Sequence, residues 1–189
     1  MMEITSRGLW TLIHGMGFGA LFLLACSAAI YQLWTICRNN GTSDDHTDAV
    51  LKWYLLAMAL LAWLSVLSGT YVVYPWYRAV APAGTHDLTL YPQLLLKSSP
   101  TTISWHTLGM EWKEHVAWLS PIAMTMAAVT FFYYGRDLRN QRYLRSAVLW
   151  FTIVAFASAA VAGTWGAMIN KYAPTVGGNV YSFSQGEAK

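Results

Sequence analysis

Charge is what this sequence has least of. Only 11% of its 189 residues are Asp, Glu, Lys or Arg, against roughly 25% in a soluble domain. The net charge of +3 is carried by basic residues that stand singly, apart from one short cluster. Without a basic stripe there is no nucleic-acid surface. No charged residue falls in the middle of an apolar run, where a transporter or channel would need one to line a substrate path. Cysteine is scarce too: Cys26 and Cys37 stand eleven residues apart on one predicted helix face. A single helix cannot bridge them, so an internal disulfide is excluded and both read as packing residues. No cleavable signal peptide is expected either, because the first apolar run is too long for an h-region and lacks an Ala-x-Ala site. Neither a phosphate-cradling glycine loop nor a nucleophile–base arrangement is present, which argues against catalysis by this chain alone.

What the sequence has in place of charge is apolar length. Four uncharged runs cover residues 8–37, 53–77, 115–135 and 146–170, each flanked by a charged residue. Crossing a bilayer takes about 20 mainly apolar helical residues. All four runs qualify and no other does, so we expect an all-α, integral membrane four-helix bundle forming one domain. The spans are predicted at about residues 9–34, 53–74, 112–134 and 147–169. Trp10 and Trp34 bracket the first as interfacial anchors. Asn39-Asn40-Gly41 signals a turn, and His46 beside Asp44, Asp45 and Asp48 reads as a solvated loop histidine. Pro75 marks a stop or kink at the end of span two. Residues 79–110 form one long connection, of the kind that is usually functional or partner-binding. Within it, 101–106 is expected to start a helix running into span three, with Ser104 as its cap. Residues 171–189 form a polar tail.

Four arginines in ten residues, Arg136, Arg139, Arg142 and Arg145, mark the connection between spans three and four as cytoplasmic. Both termini and the 79–110 connection then lie outside, for a multi-pass protein of a bacterial inner membrane. The total basic count, six on each side under this topology, does not decide the matter; density near the span ends does.

The two halves look like copies of one unit. Span two closes with Ser68-Gly69-Thr70-Tyr71 and span four with Ala162-Gly163-Thr164-Trp165, each followed by a Tyr and then a Pro. Span one opens near His14 and span three at His115. The His-to-Gly separations are 55 and 48 residues, a difference that loop length absorbs. Repeats about an axis along the membrane normal are an established membrane architecture.

Histidines at span edges are costly and usually functional. His14 and His115 lie at similar depth on different helices, and facing helices of a bundle commonly hold cofactors. One haem b with a histidine on each side of the iron is the chemistry this pattern suits, and His106 is the reserve ligand. Gly15, Gly17, Gly69 and Gly163 would leave room for a flat macrocycle, walled by Phe18, Tyr71, Trp118 and Trp165. Arg78, Lys171, Lys113 or Arg7 would pair with its propionates. Glu111, Glu114 or a backbone carbonyl would orient a ligand imidazole. Copper is the rival, since Met16, Met110, Met124, Met126 and Met168 lie on or near the same half, although scattered methionine is more often packing material. A lone histidine reaching interfacial water is the plain alternative for either residue.

A four-span chain with histidines opening spans one and three resembles the small haem-b membrane subunits of respiratory complexes. It is also similar to small bacterial four-span families of unknown function. Those families share a histidine on the first helix, a Gly-Thr or Thr-Gly near the end of span two, a histidine opening span three and a Gly-rich end to span four. The resemblance implies electron exchange near the outer face, between the quinone pool and a periplasmic redox partner, within a larger oxidoreductase complex. The chain departs from the two-haem pattern, which stacks a pair of histidines on each ligand helix. The other expectation is a cofactor-free accessory subunit that scaffolds membrane and periplasmic partners through the 79–110 connection and the tail.

Overall fold

A computed structural model describes residues 2–39, 45–135, 137–172 and 180–183. Asn40, Gly41, Asp44, Arg136 and Pro174 of the motifs above lie outside the described residues. Four long apolar helices make the bundle: α1 (Ser6–Arg38), α2 (Asp45–Tyr77), α4 (Trp105–Tyr134) and α5 (Arg142–Tyr172). Each is long and apolar enough to cross a bilayer. A short helix, α3 (Pro92–Lys97), sits in the long connection. Two short strands, β1 (Met2–Thr5) and β2 (Val180–Phe183), pair antiparallel and tie the two ends of the chain together, Met2 opposite Phe183.

The helices exceed the uncharged runs because polar first and last turns stay helical. α2 starts at Asp45, with Asp45 and Asp48 in its first turn, where carboxylates complement the positive end of the helix dipole. α4 starts at Trp105, so the expected extension before span three is present. Ser104 holds the capping position, but its side chain makes no capping hydrogen bond. On α1 the cap is made by Thr5, whose side chain accepts from the Gly8 N–H at 3.0 Å.

The four helices close a ring in which α1 packs on α2 and α5, and α4 packs on α2 and α5. The buried seam of α1 is Phe22, Cys26, Ala29, Leu33 and Ile36. These alternate three and four residues apart, the spacing that keeps one stripe facing a partner helix. Arg145, Val148, Thr152, Ala155 and Ser158 form the matching stripe on α5, at spacings of three, four, three and three. Alanine is frequent in the seam, and small side chains allow the close helix approach on which packing inside a membrane depends. Polar ties cross between helices: Tyr54 Oη donates to Ala25 O at 2.8 Å, and Trp63 Nε1 donates to Thr125 Oγ1 at 3.0 Å. Cys26 is buried and Cys37 partly so; both are free thiols, as the sequence required. Of the arginine cluster, Arg145 is buried, and its guanidinium donates to Leu138 O at 2.9 Å.

Two prolines bend the regular ladder. Pro121 has no N–H to offer the carbonyl of Ala117, which is taken instead by Ser120 N at 3.1 Å. The wide turn Trp112–Val116 lies just before it. Pro75 does not stop α2, which continues to Tyr77 behind another wide turn, Gly69–Val73. A helix absorbs a missing donor by widening or tightening the neighbouring turn.

Candidate functional site

Wide, π-type turns occur at Ile13–Ala20 on α1, Gly69–Val73 on α2, and Trp105–Met110 and Trp112–Val116 on α4. By the up-and-down course of the chain, all four lie at the same end of the bundle, the end with His14, His106 and His115. Such turns redirect side chains and are frequent at functional sites. Where the first of them crosses α2, Gly19 brings the helices together: a Cβ there would stand 3.6 Å from Ser65 Oγ and 3.3 Å from the His14 carbonyl.

His14 is turned onto α2. Its Nδ1 lies 2.8 Å from Ser65 O and 3.2 Å from Ser68 Oγ. A carbonyl can only accept, so the proton sits on Nδ1 and the Nε2 lone pair is left open; this tautomer follows from the hydrogen-bond network. No described residue bonds Nε2. The ring lies against Gly69: a Cβ there would meet Cε1 at 2.7 Å, Nε2 at 3.2 Å and Nδ1 at 3.3 Å. Lys113 stands on α4 at the same end of the bundle. Its Nζ reaches α5, 2.9 Å from where a Cβ on Gly166 would be. All four membrane helices therefore contribute to this end: His14, Ser65 with Ser68 and Gly69, Lys113, and Gly166.

His115 is placed otherwise. Its side chain is 71% exposed, with Nδ1 bonded to its own helix at Glu111 O, 3.1 Å, and facing Glu111 Oε2 at 3.5 Å. The expected face-to-face pair with His14 is not the arrangement found. The i,i+4 partner on α4 holds His115 on an exposed face, while Ser65 holds His14 on α2, and the two imidazoles share no partner. His106, the reserve ligand, has both ring nitrogens engaged: Nδ1 with Tyr77 Oη at 2.7 Å, and Nε2 with the Gln93 side-chain amide at 3.4 Å.

The glycines separate in the same way. Gly69 is filled by His14, Gly15 faces open space, and Gly163 has only Leu23 nearby, at 3.9 Å. Gly163 thus does not do for span three what Gly69 does for span one. The sequence likeness of the two motifs is not matched by like surroundings. Arg78 is occupied by Glu114 at 3.3 Å and sits over the Tyr74 ring, while Lys171 lies over Tyr172. Tyr71 is 70% exposed, so it does not wall the site. Trp165 packs edge-on against Trp105, and Trp105 stacks on Tyr172. Trp118 packs edge-on against Trp63. The methionines do not converge: Met16 and Met126 are exposed, Met124 is fully buried. Among the described residues no three His, Cys, Asp or Glu side chains cluster as a metal site.

The long connection folds over this end. Leu96 of α3 is fully buried, in a small cluster with Tyr77, Met110 and Ile169. The Tyr77–His106–Gln93 chain joins it to α2 and α4. Tyr77→Phe removes that hydrogen bond, and we expect it to lower stability by about 0.5–1.5 kcal/mol. Tyr71→Phe, at an exposed hydroxyl, is expected to leave the melting temperature in detergent unchanged, and the two variants compared in one melt check the difference.

Sequence reasoning missed Ser65 and Gly166, and named Ser68 only as part of the repeat motif. The available signal was two serines three residues apart immediately before Gly69, a polar pair inside an otherwise apolar span. Comparison with family models, with curated proteins and with solved structures finds no match to the chain.

Proposed function

We propose that the chain is a membrane-bound electron-transfer subunit that holds one haem b at the histidine end of its bundle, with His14 as the iron ligand. The observation that carries this reading is the 2.8 Å bond between His14 Nδ1 and Ser65 O. An acceptor on one ring nitrogen fixes tautomer and ring angle and directs the other nitrogen at a metal, the arrangement usual for ligating histidines. Donor chemistry and the open Nε2 fit a haem at His14. The exposed His115 does not fit as the opposing ligand, so the bis-histidine pairing is replaced by a single ligand from this chain. A bound haem would supply a one-electron carrier. The protein's part is to hold the imidazole, through Ser65 and Gly69, and to cover the site with the 79–104 connection.

On the resemblance to haem-b membrane subunits, the electrons would pass between the quinone pool and a periplasmic redox partner, within a larger complex of a bacterial inner membrane. The arginine cluster supports placing the histidine end and both termini outside. Copper held by His14 and methionine is the weaker metal reading, because the methionines are scattered.

The exposure of His115 favours a second reading, the cofactor-free accessory subunit, in which His14 is simply a hydrogen-bonded tie between helices. One visible spectrum separates the two. Protein purified from haem-replete cells is expected to show a reduced-minus-oxidised haem-b difference. His14→Ala should abolish that band, and His115→Ala should leave it in place. A colourless wild-type protein that keeps its melting temperature would leave only the accessory reading.

A further inference from the structure

Lys113, one of four candidate propionate partners in the sequence, is not used by the single-ligand reading above, and among the described residues it has no counter-charge. It is partly buried at the lip of an apolar span, and its Nζ is directed at the α5 backbone near Gly166. The two acids on its own helix turn are engaged elsewhere, Glu114 with Arg78 at 3.3 Å and Glu111 with His115 at 3.5 Å. Among the described residues no carboxylate pairs with Lys113. The side chain immediately before it repeats the deficit: Trp112 Nε1 is buried and has no hydrogen-bond partner. Two successive donors of one turn, one of them charged, therefore lack an acceptor.

A cation withdrawn from water without a counter-charge is strongly disfavoured. Lysines at span edges ordinarily avoid this by snorkelling to the interface. Lys113 instead lies between α4 and α5, in a gap that exists because position 166 has no side chain. The missing partner must be an oxyanion that can reach this depth at the end of a bundle. We propose that Lys113 binds the headgroup phosphate of an anionic phospholipid at the seam of α4 and α5, with Gly166 leaving room for the ammonium there. Basic pockets between membrane helices are suited to such headgroups. The assignment stands apart from ligation by His14, since it uses neither that ring nor iron, and it replaces the propionate pairing expected of Lys113.

The full chain, reconstituted in nanodiscs of phosphatidylcholine with or without phosphatidylglycerol and then re-extracted, is assayed for retained phosphatidylglycerol. Wild type is expected to retain it selectively. Lys113→Gln should retain about fivefold less, the loss expected of one basic side chain at an anionic surface, and Lys113→Arg should retain most of it. Gly166→Ala keeps the charge but places a methyl 2.9 Å from Nζ, so it should also lose lipid, which keeps the test decisive if Lys113→Gln folds poorly. His14→Ala should retain lipid as wild type does, whatever its spectrum. Equal retention by wild type, Lys113→Gln and Gly166→Ala overturns the proposal. Stabilisation by inorganic phosphate with no phosphatidylglycerol retained overturns the lipid source and leaves a small-oxyanion site.

Discussion

Gly69→Leu is expected to expel the His14 imidazole from its seat. Even a methyl at this position would lie 2.7 Å from Cε1 and within 3.3 Å of both ring nitrogens, closer than side chains approach one another. The ring cannot slide along α2 to make room, because Nδ1 is tied to Ser65 O at 2.8 Å. Either the hydrogen bond breaks or α1 and α2 move apart. Overpacking costs about 1–3 kcal/mol and the lost hydrogen bond about another 1 kcal/mol. A melting temperature lowered accordingly, together with loss of any haem-b band, is the expected result, with Gly69→Ala intermediate. Gly15→Ala is the internal standard. Its added methyl meets nothing within 4 Å, and alanine is a better helix former than glycine, so that variant should melt at or slightly above wild type. Equal melting of Gly69→Ala and Gly15→Ala would refute the tight seat.

The second large effect is expected outside the membrane spans. Leu96→Ala should unfasten the 79–104 connection from the end of the bundle. Leu96 is fully buried against Tyr77, Met110 and Ile169, and truncating a buried leucine costs about 2–5 kcal/mol. That cost falls on a short helix, Pro92–Lys97, whose other apolar anchors are the buried Pro92 and the partly buried Leu95. Local opening rather than collapse of the bundle is therefore expected. Limited proteolysis should cut within 79–104 much faster than in wild type, while far-ultraviolet dichroism at the same temperature stays nearly unchanged. Thr102 Oγ1 donating to Leu96 O at 2.7 Å involves only the backbone of residue 96 and survives the substitution. Cleavage at the wild-type rate would show that the connection is held elsewhere.

Much of the architecture was legible beforehand, and the reasons are local. A run of apolar residues bounded by charges can satisfy its backbone in lipid only as a helix, so four such runs meant four helices. Interruptions were less legible. Pro75 was readable as a break, but the wide turn at Gly69–Val73 that lets α2 run on to Tyr77 was not, since it depends on how neighbouring carbonyls find other donors. The buried stripe was harder still. In a soluble helix polar residues mark the outer face, whereas α1 presents Leu24 and Leu21 to the outside and Phe22 and Leu33 to the core. Hydropathy barely distinguishes them.

The histidines show the same division. Sequence alone determined that His14 and His115 lie toward the same end of the bundle, because the up-and-down course of four apolar runs follows from counting residues along the chain. It equally determined the class of fold, because hydrocarbon excludes charge wherever a helix crosses. Only tertiary structure decided the direction in which each ring points. Rotation of a helix about its own axis is set by which small residue on a neighbour leaves room and which carbonyl is free to accept. Gly69 and Ser65 supply both for His14, while the nearest acceptor for His115 is its own turn at Glu111.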